Sequence, residues 1–141
     1  MRSLDRLQPL ALLVARVALG VVMVGHGYQN VLGHLHDHAH MLSSLGLPAR
    51  LGYLSSLAEL IGGLLVLAGF FTRAVAFAAC AGLAVALWKM HWHNGLIGSA
   101  DSPGIEFPLS LAALAFVLIF FGAGPIALDH GLRGGGSVSK K

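Results

Sequence analysis

The sequence predicts an all-α integral membrane protein, a bundle of four transmembrane helices with both termini on the cytoplasmic side. Three observations carry that prediction. Of 141 residues, 56% are hydrophobic and only 11% charged, with a mean hydropathy of +0.77, well outside the composition of a water-soluble domain. The apolar residues are gathered into four long runs separated by polar or Gly- and Pro-containing connections. The basic residues stand at the ends of those runs, most of them on one side of the resulting bundle.

The first span covers residues 7–32. Arg2 and Arg6 precede it, but the run is longer than a signal-peptide core and no small-x-small cleavage site follows, so it is expected to be retained. Pro9 is suited to its first turn. Residues 33–50 form the longest polar connection, and residues 51–71 the second span. Thr72-Arg73 turns directly into the third span, residues 74–92. A Gly-, Ser- and Pro-rich loop leads to Glu106-Phe107-Pro108, which opens the fourth span, residues 107–128. Residues 1–130 thus make one domain, and residues 131–141 a flexible basic tail. The length leaves no room for a separate soluble catalytic domain.

With four spans, Arg2, Arg6, Arg73, Arg133, Lys140 and Lys141 fall on one side, against Arg50 and Lys89 on the other. The positive-inside rule makes the richer side cytoplasmic, with the lipid bilayer as the chain's first partner. Seven of the eight histidines then lie at the outer end, and only His130 inside. Scattered basic residues of this kind are topology signals and give no nucleic-acid surface. The single cysteine, Cys80, lies inside an apolar run, so no disulfide forms within the chain, and it reads as a small packing residue.

An ionisable group in lipid is costly unless it faces a partner or a wet cavity, which makes Glu59 the most informative residue of the second span. Ser55, Ser56, Glu59, Gly62, Gly63 and Val66 share one helical face, a small and polar stripe suited to close packing. On the first span Arg16, Gly20, Met23 and Gly27 share another. Depths counted along the helices make Arg16 the expected counter-ion of Glu59, with His26, Lys89, His93 and Glu106 as a polar layer above the pair. If so, Glu59→Gln would strand a buried arginine. Two readings of this cluster stay open: buried ion pairs that fix helix register, or a site for a quinone head group or small oxyanion with Trp88, Trp92 and Phe107 as walls.

The run His34, His36, Asp37, His38, His40 offers a second set of ligands. In an extended segment alternate imidazoles point to one side and suit Cu or Zn, although a plain solvated loop fits as well. His91 and His93 are further donors, or interfacial anchors beside Trp88 and Trp92. No nucleophile–base pair, phosphate loop or dinucleotide fingerprint is present.

Several motifs point to one family. Arg16-x-x-Leu19-Gly20, His26-Gly27, Leu57-Ala58-Glu59-Leu60-x-Gly62-Gly63 and Gly69-x-x-Thr72-Arg73-Ala74 are followed by Gly104-x-Glu106-Phe107-Pro108 and Gly122-x-Gly124-Pro125, ending at Leu128-Asp129. Together they resemble the DoxX family of small four-helix bacterial membrane proteins. Gln29 stands where that pattern usually has a basic residue, Phe107 where it has tyrosine, and residues 34–40 look like an addition. The resemblance implies a link to quinone-coupled sulfur oxidation or to thiol-oxidative-stress complexes, hence quinone as a cofactor and a larger membrane or periplasmic redox complex as partner. The competing expectation is an accessory subunit without chemistry of its own, holding periplasmic Cu or Zn at its histidine run.

Overall fold

The structure, a computed structural model, describes residues 6–99 and 104–129. Among these the regular secondary structure is entirely helical, with five α-helices: α1 (Gln8–Leu32), α2 (Leu35–Ser44), α3 (Ala49–Ala68), α4 (Thr72–Ala86) and α5 (Glu106–Phe121). Three helices are long and apolar enough to cross a membrane, Gln8–Leu32, Ala49–Ala68 and Thr72–Met90. The expected fourth span is shorter than residues 107–128: α5 stops after 16 residues, where Gly122 takes a φ of 74° that side-chain-bearing residues rarely adopt. Apolar side chains cover the outside, Val14 at 60%, Phe77 at 67% and Phe120 at 61% exposure, as lipid-facing surfaces require. His130 and the tail lie outside the described residues.

The polar connection corrects the sequence reading. Most of it is helix α2, which docks on α3 through Ala39 and Leu42. Its polarity hid a helical period, with Ala39 and Leu42 three residues apart on the buried face.

α1 and α3 form the main antiparallel pair, and α4 and α5 the second. Glycines set how closely α1 and α3 approach. A Cβ on Gly27 would stand 2.6 Å from the Leu60 Cα, and one on Gly63 2.7 Å from the Val24 backbone nitrogen. Leu19, Val66, Ala76, Leu111, Ala115 and Leu118 close the core between the pairs. Pro9 opens α1 in its first turn, and Gly69, at φ 71°, ends α3. There the Phe70 amide donates back to the Leu65 carbonyl at 2.9 Å, closing the last turn.

Candidate functional site

The close α1/α3 packing carries the amide of Asn30 to Glu59. Asn30 Nδ2 donates to Glu59 Oε2 at 3.3 Å, so the carboxyl faces inward on a polar partner, as its place in a membrane-crossing helix demands. One turn earlier on α3, Ser55 meets His38 of α2, with Nε2 and Oγ 3.1 Å apart. Ser55 spends its one proton on the Gly52 carbonyl at 3.1 Å, so the His38 ring N–H is the donor in this contact. Further out, Tyr53 Oη and His36 Nδ1 are 3.1 Å apart. Tyr53, Ser55 and Glu59 thus make a polar ladder along α3, partnered by α2 near the connection and by α1 deeper in, while Ser56 donates to the Gly52 carbonyl of its own helix at 2.8 Å.

The expected Arg16–Glu59 pair is not formed. The glycine contacts set α1 against α3 so that Gly20 faces Leu67 and Gly27 faces Leu60, which puts Arg16 beside Gly69. Ten residues of helix, about 15 Å, separate Gly69 from Glu59. Counting depths along each helix separately misses this relative register. The polar layer above the pair also fails to assemble. His26 lies against Phe107 with ring centroids 5.8 Å apart, Lys89 Nζ sits 4.9 Å from the centre of the Trp88 ring, and His93 is exposed. Glu106 accepts the Gly98 amide at 3.2 Å, pinning the loop before α5. Residues Leu87–His91 form a π-helical turn and Trp92–Asn94 a 3-10 turn, so Lys89 and His93 do not stand on one regular α-helix.

A quinone head group needs donors to both carbonyl oxygens across one flat slot. Arg16, His26, Lys89 and His93 line no common slot, so they do not fit it as a set. A groove of about 520 Å³ is lined by Leu7, Leu10, Val14 and other apolar side chains and holds none of these donors.

Charged groups seal the helix ends at the opposite end of the bundle. Asp129 accepts the backbone amides of Phe71 at 2.9 Å and Thr72 at 3.0 Å, capping α4 from far along the chain, where its negative charge also suits the helix dipole. Arg73 Nη2 donates to the Phe120 carbonyl at 3.0 Å, the corresponding arrangement at the end of α5. Arg16, only 4% exposed, donates from Nη1 to the Ala123 carbonyl at 3.1 Å, and the charge of Asp129 offsets its own. Asp129→Ala removes two charge-assisted bonds and that offset together. It should lower stability by about 3 kcal/mol in a detergent unfolding titration, and a loss under about 0.5 kcal/mol would sink the capping role.

The histidine run is helical, so alternate residues do not share a side. His34 Nδ1 meets Asp37 Oδ2 at 3.4 Å on the surface, while His36 and His38 turn to α3. Among the described residues no group of three or more histidine, cysteine or acidic side chains is placed to hold one metal ion. Burial against α3 pushes the His38 imidazole below its ordinary value of 6.5. The undocked imidazole therefore binds a proton at a higher pH than the docked one. Docking of α2 is at full strength above about pH 6.5, weakens as pH falls toward the docked pKa, and levels off below it. Amide exchange in α2, corrected for its intrinsic pH dependence, should be faster at pH 5 than at pH 7.5, and His38→Gln should flatten the difference. An equal pH response in the variant would exclude His38 as its source.

Sequence reasoning missed Asn30, although it lies one turn beyond His26 on the same face of α1. It also missed the capping role of Asp129, which no local pattern signals because its partners lie 57 and 58 residues away.

A helical chain with three membrane-length apolar helices and a half-buried carboxyl, Glu59, held by Asn30 between two of them is a small helical membrane protein. Comparison with known proteins gives the family: a family model described as DoxX matches residues 11–92, and the chain belongs to that family. It is 27% identical over 131 residues, 92% of this chain and 96% of the relative, to an uncharacterized protein of Haemophilus influenzae. It is 30% identical over 117 residues, 83% of each chain, to a Bacillus subtilis protein named "Putative oxidoreductase CatD". No solved structure matches.

Proposed function

We propose that this chain is the proton-exchanging membrane subunit of a redox system whose electron centres lie in a partner protein. One observation carries the reading: Glu59, in a helix long enough to cross the bilayer, is held by Asn30 and lies one turn from the His38–Ser55 contact. A carboxyl group so placed can take and release protons through polar neighbours that reach the α2 end. Similarity to a relative named as an oxidoreductase supports the redox context. The site itself supplies donors and acceptors of protons and no group that changes oxidation state.

In this reading α5 makes the fourth crossing, its 16 residues covering about 24 Å with the following segment 122–129 completing the path. Arg6 and Arg73 mark the cytoplasmic side of a bacterial inner membrane, and α2 lies on the outer face. A lipid-soluble carrier such as a quinone would then meet the assembly at the partner, since the donors in this chain do not converge.

Gentle purification from native membrane, with mass spectrometry of every co-purifying protein and small molecule, tests the proposal. The expected result is a stoichiometric partner that carries a redox centre. A homogeneous chain without such a partner, or a partner devoid of redox centres, would make the bundle a scaffold instead.

A further inference from the structure

We propose that His36 and His40 form a two-point site for a divalent transition metal of the borderline class, Cu(II), Zn(II) or Ni(II), on the exposed face of α2. Because residues 35–44 are helical, the four histidines divide into two pairs at one-turn spacing, His34 with His38 and His36 with His40. The first pair is engaged elsewhere: His34 with Asp37, and His38 half-buried against Ser55. The second pair is exposed. Residues four apart on a helix have Cβ atoms about 6 Å apart, within the span that two imidazoles close around one ion.

Tyr53 prepares the site. Its hydroxyl holds His36 at Nδ1, 3.1 Å away, with the two rings edge to face at 84°. That contact fixes the imidazole from α3 and leaves Nε2 as the ligand nitrogen, the arrangement in which an outer partner orients a metal-binding histidine. His40 has no hydrogen-bond partner among the described residues, so binding breaks nothing there. No third protein ligand joins them among those residues, and water completes the coordination. Such a site captures an ion reversibly and staples one turn of α2.

The experiment uses the full chain, purified in detergent without a polyhistidine tag and titrated calorimetrically with zinc chloride alone. The expected result is one ion per chain, weakened about tenfold or more by His36→Gln or His40→Gln and less than about threefold by His34→Gln. Cu(II) should displace the zinc, following the general affinity order. Bound zinc should also slow amide exchange in α2, a readout that adventitious binding elsewhere would not move. Absence of saturable binding would overturn the site. Equal losses in all three variants, or no loss in His36→Gln, would do the same.

Discussion

Gly27→Ala should destabilise the bundle by about 3 kcal/mol or more, although it adds one methyl group to a helix in which alanine is otherwise the better residue. The added carbon would stand 2.6 Å from the Leu60 Cα. Backbone cannot rotate away as a side-chain tip can, so α1 and α3 must move apart. That motion would also lengthen the Asn30–Glu59 contact near the same end of the pair. Gly82→Ala is the control: a Cβ there meets nothing within 4 Å, and the substitution should be neutral or stabilising by up to about 1 kcal/mol. The midpoint of unfolding in a denaturing-detergent titration measures both. Equal midpoints for the two variants would contradict the close crossing.

The second large effect falls on activity. Glu59→Gln keeps an oxygen that accepts from Asn30 Nδ2, so the fold should hold, with a stability change below about 1 kcal/mol. The strongly destabilising effect expected from a stranded Arg16 disappears once Arg16 is seen to bond the Ala123 carbonyl and not Glu59. What glutamine cannot do is exchange a proton. Positioned acid–base groups contribute about 10²- to 10⁴-fold, so turnover of the assembled redox complex should fall at least about tenfold while assembly is unchanged.

Membrane character, the apolar helices and the inward face of α3 were legible in the sequence because they rest on composition and periodicity. Ser56, Gly62, Gly63 and Val66 are buried as their shared face predicts, with Ser55 and Glu59 half-buried beside them. Arg16, Gly20 and Gly27 are buried on α1 for the same reason. The pairing of charges was less legible, because it depends on the register between two helices. Gly20, Gly27 and Gly63 hold that register, and matching them across the pair would have moved Arg16 away from Glu59. Helix α2 was hidden by its polarity: four histidines and an aspartate within residues 34–40 read as a loop, while only Ala39 and Leu42 reveal the buried side. The six-residue site cluster dissolved for a similar reason. Depth counted along separate helices groups its members, yet in the structure they face Phe107, Trp88, the loop before α5 or Asn30, or, for Arg16, lie at the opposite end of the bundle.

The most direct test of the proton-exchanging role is the pH dependence of turnover in the native complex, wild type against Glu59→Gln, each quantified for assembly. The account predicts that the variant assembles normally, turns over at least about tenfold more slowly, and loses the pH dependence that the carboxyl confers. Wild-type turnover with an unchanged pH profile in a fully assembled Glu59→Gln complex would contradict it, and would leave Glu59 as a packing contact of Asn30.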